Sequence, residues 1–265
     1  MRSFFARGQE ILDSALVWLA RKFGPWTVMT IVLAAGVAVL AVLANLTGEV
    51  YEEVAHENGT AHIDRPVLDF MLSVRAPWLN SAVNAYTHVG GKVGGVVVCL
   101  VLIVVLSGLM RSVRPLVLLA AGALGSVCIS IAGKEIVGRE RPPRVDAIPP
   151  YEVSPSFPSG HTLSVTAIMI VTAYLLVLWM SHTRARVLAV LLCGTYALTM
   201  GLSRVYLGHH WLTDVISGFG VGAAWGVVVI LAHQVFHTVR RVRTTRGLDS
   251  RLGTTSGRSL LNQRP

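Results

Sequence analysis

The chain has 265 residues, of which 53% are hydrophobic and 14% are charged, and its formal net charge is +9. Six long apolar runs leave too little polar sequence to cover them in water, and no soluble basic module is present that could bind nucleic acid. The composition therefore predicts an all-α, polytopic membrane bundle. We interpret the positive net charge as a consequence of membrane topology and of attraction to anionic lipid.

The six apolar runs predict six membrane spans, since a span needs roughly 20 mostly apolar residues. The fifth run is the shortest and could extend beyond its end. The predicted spans are Trp26–Leu46, Val93–Met110, Pro115–Gly133, Thr162–Met180, Val187–Leu202 and Val215–Phe236. They form a membrane domain over residues 26–239. The charged segment 1–25 has the character of a signal anchor rather than a cleaved signal peptide, and the basic tail 240–265 predicts disorder.

The distribution of basic residues predicts the orientation of the chain in the membrane. With a cytoplasmic N-terminus, six spans return the C-terminus to the same side. The cytoplasmic segments then hold most of the lysines and arginines, and the external segments hold most of the acidic residues. Five or seven spans would break this alternation. We therefore expect a protein of the cell membrane with both termini in the cytoplasm.

Two external loops are long enough to carry structure. In the first, residues 47–92, the pattern over Asp64–Leu79 predicts a short amphipathic helix that either lies at the membrane interface or packs on the bundle. The second, Lys134–His161, contains six prolines, which interrupt helices and predict a stiff, irregular segment. The links after spans two and four are short, which predicts antiparallel neighbouring helices.

Polar residues gather at the external ends of three predicted spans. Since ionisable residues beside a bilayer are costly and usually functional, this grouping predicts a site on one face of the membrane. The group comprises Lys134, Arg139, Arg141 and Pro142 after span three, Pro158, Ser159, Gly160 and His161 before span four, and Ser203, Arg204, His210 and Asp214 after span five.

The cations in this group suit a phosphate ligand. Lys134, Arg141 and Arg204 together match a dianionic group, because guanidinium groups bind phosphoryl oxygens through paired donors. Alternatively, they reach lipid headgroups or pair with nearby glutamates. In the Pro158–His161 segment, Ser159 can cap the following helix and Gly160 can let a ligand approach the free backbone N–H groups.

The two histidines suit proton and phosphoryl transfer. His161 is either a capping histidine or a proton donor to a leaving oxygen. His210 and Asp214 are four residues apart, which predicts one shared helical face, with the carboxylate holding the imidazole of a nucleophile. A metal pair would use the same spacing, but no third ligand stands out and the cations would repel a metal. We therefore expect no metal and no cofactor, and we interpret His209, one residue off this face, as structural.

The motifs Lys134-x6-Arg141-Pro142, Pro158-Ser159-Gly160-His161 and Ser203-Arg204-x5-His210-x3-Asp214 resemble, in order, the three signature motifs of the type 2 phosphatidic acid phosphatase (PAP2) superfamily. The resemblance implies a metal-independent phosphatase with a six-helix core. It implies that His210 attacks phosphorus, that Asp214 orients it, and that His161 protonates the leaving group and then activates water. The implied phosphate-binding residues are Lys134, Arg141, Ser159, Gly160 and Arg204, while Pro142, Pro158 and Ser203 belong to the motifs without a clear role.

The expected function is hydrolysis of a phosphorylated membrane lipid on the extracytoplasmic face. Polyprenyl diphosphate, phosphatidylglycerophosphate and phosphatidic acid all fit, and the expected partners are this lipid and the bilayer. A lipid phosphotransferase and a non-catalytic lipid-binding or transport protein remain alternatives, although the complete set of histidines and carboxylate favours an enzyme. Soluble vanadate-dependent haloperoxidases share the oxyanion-binding motifs, but six spans argue against that class.

Overall fold

The computed structural model describes the backbone of residues 60–261 and the side chains of residues 62–237, and within that part the chain is helical and contains no strand. Short 3-10 turns lie at Thr60–Ile63 and Arg144–Asp146. The α-helices are α1 (Asp64–Ser73), α2 (Pro77–Val89), α3 (Gly94–Met110), α4 (Arg114–Val137), α5 (Gly160–Trp179), α6 (Thr183–Tyr206) and α7 (Leu212–Leu261). The predicted all-α fold is confirmed for this part of the chain.

Four described helices are long and apolar enough to cross a membrane: α4, α5, α6 and the Leu212–His237 part of α7. Helices α2 and α3 form a pair bent by 53°, which counts as a fifth span if the pair is one broken span. Large apolar side chains such as Val104, Leu124 and Leu192 are 70%, 68% and 62% exposed, as lipid-facing residues are. The chain is therefore a multi-pass membrane protein. The first predicted span, Trp26–Leu46, lies outside the described residues.

Helix α5 forms the centre of the bundle and packs against α4 and α6. Its side chains Leu163, Val171 and Leu175 are fully buried. Helix α7 approaches α5 closely through small residues: a Cβ atom on Gly222 would lie 2.5 Å from the Leu163 carbonyl oxygen. Gly218 and Gly226, one turn away on either side, make similar close approaches to α5. Small residues at four-residue spacing let helix backbones approach in membranes, so this face fixes α7 against α5.

The helices differ from the predicted spans at their ends. Helix α4 continues to Val137 and α6 to Tyr206, so Lys134 and Arg204 lie on the last turns of helices rather than after them. Helix α7 starts close to the predicted sixth span and continues to Leu261, into the tail for which composition predicts disorder. A polar residue can end an apolar run without ending the helix, because helical hydrogen bonds are made by the backbone.

The predicted amphipathic helix over Asp64–Leu79 is two helices. α1 ends at Ser73 and α2 begins at Pro77, since proline fits the first turn of a helix but not its interior. α1 buries Asp64 and Leu68. The irregular character predicted for the second loop is confirmed: between α4 and α5 its regular structure is the 3-10 turn Arg144–Asp146.

Candidate active site

Lys134 and Arg141 reach the same short stretch of the loop that precedes α5. Lys134 donates from Nζ to the Pro155 carbonyl oxygen. Arg141 donates from Nε to the Ser154 carbonyl oxygen at 2.7 Å and from Nη2 to the Pro155 carbonyl oxygen at 3.3 Å. The structure therefore brings together these two predicted phosphate-binding residues, although 6 residues separate them in the motif.

Arg204 is almost fully buried and has an incomplete set of partners. Its Nη1 donates to the Thr87 hydroxyl at 3.0 Å, and its Nη2 donates to Glu152 Oε1 at 3.1 Å. Within residues 62–237 its buried Nε has no hydrogen-bond acceptor. Ser203, whose role was unclear from the sequence, also donates to the Thr87 hydroxyl, at 3.2 Å. Ser203 and Arg204 therefore fix α6 to α2, and Arg204 retains one donor for a ligand.

Glu152 adds a carboxylate to this cationic group. Burial on its own raises the pKa of Glu152, but the positive charges of Arg204, Arg141 and Lys92 outweigh burial, and the pKa lies below the ordinary glutamate value. The side chain is therefore ionised at neutral pH. Next to it, Pro142 is buried and lines a small cavity of about 40 Å³ together with Arg141, Glu152 and His209.

Ser159 takes the N-cap position of α5, as predicted, but its side chain makes no capping hydrogen bond. Instead its Oγ accepts a hydrogen bond from the Thr162 hydroxyl at 2.9 Å. Its backbone N–H donates to the Asp214 carbonyl oxygen at 3.2 Å, which ties the start of α5 to α7. The sequence placed Ser159 correctly but not its hydrogen bonds, one of which depends on Asp214 from another helix.

Gly160 and Pro158 pack the turn before α5 tightly onto α4. A Cβ atom on Gly160 would lie 2.9 Å from Ser130 Oγ, and a Cβ atom on Gly133 would lie 2.7 Å from Pro158 Cδ. A larger residue at either glycine would push the turn away from α4. The need for glycine at position 160 therefore has a packing explanation, besides the ligand approach predicted from the sequence.

His161 lies on the first turn of α5, as the sequence predicts. Its ring faces the break between α2 and α3, where a Cβ atom on Gly91 would lie 3.2 Å from His161 Nε2. The imidazole is close enough to Arg204 and His210 for charge–charge interaction. The structure thus brings His161 to the same site as the predicted phosphate-binding residues.

His210 and Asp214 do not share a helical face, which corrects the prediction. Helix α7 begins at Leu212, so His210 precedes it. Asp214 lies in the first turn, and its Oδ2 accepts a hydrogen bond from the Trp211 backbone N–H at 2.9 Å. This is the contact that the N3 residue of a capping box makes with the N-cap residue. The same Oδ2 lies 3.4 Å from His210 Nδ1. The spacing of four is right, but a helix cap rather than a helix face produces the contact.

Gly208 makes the turn that presents the two histidines. Its φ is +71°, a left-handed conformation that favours glycine, and a Cβ atom there would lie 2.3 Å from the Asp146 carbonyl oxygen. The turn also places His209, which donates from Nε2 to the Ile148 carbonyl oxygen at 2.7 Å. His209 therefore holds the loop before α5, in keeping with the structural interpretation, and His210 points into the site.

Asp214 is fully buried and held from both sides. Arg139 donates to its Oδ1 at 2.6 Å. The Ser156 hydroxyl donates to its Oδ2 and lies 3.3 Å from His210 Nδ1. The carboxylate therefore has a fixed orientation toward the imidazole before any substrate binds.

The contacts of His210 indicate which of its two ring nitrogens is unprotonated. Nε2 lies 3.3 Å from Arg141 Nη1, and since arginine can only donate, Nε2 carries a lone pair there. Nδ1, toward Asp214, is then the protonated nitrogen. Burial lowers the pKa of His210 to about 3; the hydrogen bond and charge of Asp214 oppose this, and the charges of Arg141 and Arg204 add to it. His210 is therefore neutral near pH 7, as the predicted role of nucleophile requires.

Several site residues have little or no signal in the sequence. Arg139 stood in the polar group but had no assigned role, and Ser156 lies only a few residues before the second motif. Asp64, Thr87 and Glu152 come from the two long loops, and no spacing links them to the motifs. A compact group of three or more His, Cys, Asp or Glu side chains that could hold a metal is not found among residues 62–237.

An apolar groove of about 310 Å³ lies deeper in the bundle, between α5, α6 and α7. Thr166, Val190, Cys193 and Phe219 are among its lining residues, and none of the motif residues lines it. The predicted site residues therefore lie apart from this groove.

Comparison with known proteins gives a consistent family. A family model described as PAP2 superfamily matches residues 115–237. Phosphatidylglycerophosphatase B of Bacillus subtilis (strain 168) is 32% identical over 173 residues, which are 63% of this chain and 81% of that protein. Decaprenylphosphoryl-5-phosphoribose phosphatase of Mycobacterium tuberculosis is 32% identical over 125 residues, which are 46% of this chain and 63% of that protein.

A solved structure agrees with these relatives. The crystal structure of a transmembrane PAP2 type phosphatidylglycerolphosphate phosphatase from Bacillus subtilis matches with a TM-score of 0.64 at 26% identity, covering 72% of this chain and 93% of that one. Fold, motifs and relatives together define a membrane-embedded lipid phosphate phosphatase. The chain belongs to the PAP2 superfamily.

Proposed function

We propose that this chain hydrolyses a phosphomonoester or diphosphate group of a membrane lipid through a phosphohistidine intermediate, without a metal ion. The observation that carries this proposal is the setting of His210. Its Nε2 faces Arg141 at 3.3 Å, and its Nδ1 faces Asp214 at 3.4 Å. The reactive nitrogen is thus directed toward a phosphate-binding cation, while a carboxylate holds the opposite nitrogen.

In the first step, His210 Nε2 forms a bond to phosphorus as the bond to the leaving oxygen breaks. Lys134, Arg141 and Arg204 neutralise the phosphoryl oxygens, which is the main requirement of phosphoryl transfer, and the Ser159 hydroxyl and the Gly160 backbone N–H supply further donors. The unpartnered Nε of Arg204 supplies one such donor. Asp214 stabilises the positive charge that develops on the imidazole.

His161 completes both steps as acid and base. It gives a proton to the departing alkoxide or phosphate, and the negative charges of the bound phosphoryl group favour a protonated imidazole beside them. In the second step, neutral His161 takes a proton from water, which attacks phosphorus and breaks the bond to His210. Inorganic phosphate leaves and both histidines return to their starting states.

The membrane setting supports a lipid as the substrate. The site lies at the C-terminal ends of α4 and α6 and at the N-terminal ends of α5 and α7, where a lipid headgroup can reach it from the bilayer surface. Six spans with both termini in the cytoplasm would give this end an extracytoplasmic position. The candidate substrates are polyprenyl diphosphate, phosphatidylglycerophosphate and phosphatidic acid. The relatives' names include a phosphatidylglycerophosphatase and a decaprenylphosphoryl-5-phosphoribose phosphatase.

Phosphate release from these three lipids, measured with the purified full chain in detergent and with a chelator present, tests the proposal. We expect turnover with at least one lipid, no loss on chelation, and no turnover by the His210→Ala variant. Robust phosphate release by His210→Ala, or activity abolished by chelation, would contradict the mechanism. Lipid binding without hydrolysis would favour a transport or binding protein instead.

A further inference from the structure

A buried charge network extends the proposed site to helix α1. Asp64, Arg139 and Asp214 are 3%, 8% and 0% exposed. Arg139 divides its guanidinium between two carboxylates: Nη1 donates to Asp214 Oδ1 at 2.6 Å, and Nη2 donates to Asp64 Oδ2 at 2.8 Å. Asp64 is distant from the PAP2 motifs in sequence and lies in the first external loop.

Asp64 also holds the start of α7. Its Oδ1 accepts the Thr213 backbone N–H at 2.9 Å, and its Oδ2 accepts the Thr213 hydroxyl at 2.7 Å. The first N–H groups of a helix have no acceptor within the helix, so a carboxylate that supplies one fixes the position of that end. Asp214 is the next residue, and α1 therefore controls where its carboxylate lies.

We propose that Asp64 is a positioning residue for the reaction proposed above. It acts by pairing with Arg139, so that the charge of Arg139 does not cancel the negative charge that Asp214 presents to His210. This inference rests on the proposed function. Two carboxylates and one guanidinium leave one net negative charge beside the neutral imidazole. That charge supports the positive charge that His210 gains when it bonds to phosphorus.

Loss of the Asp64 charge has a defined electrostatic consequence. Arg139 would then be paired with Asp214 alone, and the imidazole would become positive beside a neutral pair. Buried charges interact strongly because little water screens them, so the effect on the transition state is large. Lys134, Arg141 and Arg204, which are expected to bind the ground-state phosphate, form no hydrogen bond or ion pair with Asp64 among residues 62–237. Substrate binding should therefore change little.

The test compares variants of the purified full chain in detergent, with phosphatidic acid, phosphatidylglycerophosphate or polyprenyl diphosphate as substrate, whichever the wild type hydrolyses fastest. Asp64→Asn should lower kcat by at least about tenfold and leave KM within about threefold. Asp69→Asn is the matched control, since Asp69 is on the same helix and pairs with Arg65 at the surface; it should behave like wild type. The double variant Asp64→Asn/Arg139→Gln restores the net negative charge and should turn over faster than Asp64→Asn.

The outcomes separate this inference from a purely structural role and from failure of the proposed function. A wild-type chain that hydrolyses no lipid phosphate refutes the proposed function itself. With an active wild type, the inference is overturned if Asp64→Asn matches Asp69→Asn, if it raises KM as much as it lowers kcat, or if the double variant is slower than Asp64→Asn. If Asp64→Asn does not fold, the double variant decides, because Asp214 is then the one charge left of the Asp64–Arg139–Asp214 network. A kcat of the double variant within about tenfold of wild type supports the inference, and a lower kcat overturns it.

Discussion

Arg204 and Glu152 form an ion pair of 3.1 Å in the position where we expect a phosphoryl group to bind. Arg204 is 2% exposed, so water screens the pair poorly. A phosphoryl group and the Glu152 carboxylate are both anions that need the same guanidinium. We therefore expect substrate and Glu152 to compete for Arg204, and the carboxylate to limit how tightly the empty site binds phosphate.

Replacing Glu152 by glutamine should strengthen anion binding. The amide can still accept a hydrogen bond from Arg204 but carries no charge to compete with a phosphoryl group. We expect the inhibition constants of inorganic phosphate and orthovanadate to fall by about three- to tenfold, in line with the energy of a partly buried charge pair. Glu140→Gln, an exposed glutamate two residues before Pro142, is the control and should leave both constants unchanged. Unchanged inhibition in Glu152→Gln would mean that the pair does not oppose phosphate.

The two histidines should be separable by the choice of leaving group. p-Nitrophenolate leaves without a proton, so His161→Asn should still form the phosphohistidine from p-nitrophenyl phosphate but hydrolyse it slowly. We expect a burst of about one nitrophenol per enzyme, followed by slow turnover. With a lipid alcohol as leaving group, the same variant should be inactive. His210→Ala should show no burst with either substrate, and a burst in His210→Ala would assign the nucleophile to another residue.

Ser156 should support the rate of reaction more than substrate binding. Its hydroxyl donates to Asp214 Oδ2, so Ser156→Ala removes one of the hydrogen bonds that this buried carboxylate oxygen accepts. Hydrogen bonds to charged groups are worth about 1.5–3 kcal/mol, which corresponds to a loss of roughly 10- to 100-fold in kcat. Ser154→Ala removes a 3.2 Å acceptor for Arg141 and should mainly affect KM. Equal effects of both variants on kcat and KM would argue against the distinct role of Ser156.

The sequence predicted those parts of the fold and site that depend on local pattern. Apolar runs located the helices α3 to α7, because membrane helices are recognised by length and hydropathy, and the motifs located His161, His210 and Asp214. The orientation of His210 was missed in detail because it depends on the N-terminal cap of α7. Asp64 and Glu152 could not be predicted, since their roles arise only when distant loops meet the motif residues in the folded chain.

His209 should make the protein less stable in acid. Burial and the charge of Arg204 lower its pKa to about 4, although the hydrogen bond to Ile148 opposes them. An unfolded histidine has a pKa near 6.5, so between about pH 6.5 and 4 the unfolded chain binds a proton that the folded chain excludes. Stability is thus fully present above about pH 6.5 and falls as the pH is lowered.

Thermal unfolding in detergent at several pH values measures this effect. His209→Gln keeps an N–H donor for the Ile148 carbonyl but does not titrate. The variant should match wild type at pH 7.5 and unfold at a higher temperature than wild type at pH 5. A parallel loss of stability in both proteins on acidification would show that other groups cause it.

The side of the membrane that carries the site can be tested with single cysteines. Val113, in the link between α3 and α4, is 71% exposed, and Val145, in the loop between α4 and α5, is 90% exposed. Helix α4 separates them with 24 residues, long enough to cross a bilayer. In a chain whose three native cysteines are replaced by alanine, a membrane-impermeant maleimide added to intact cells should label Val145→Cys and not Val113→Cys. Labelling of Val113→Cys alone would put the site on the cytoplasmic side. The substrate would then have to be a lipid of the inner leaflet, because its headgroup must enter from the side on which His210 and its cations lie.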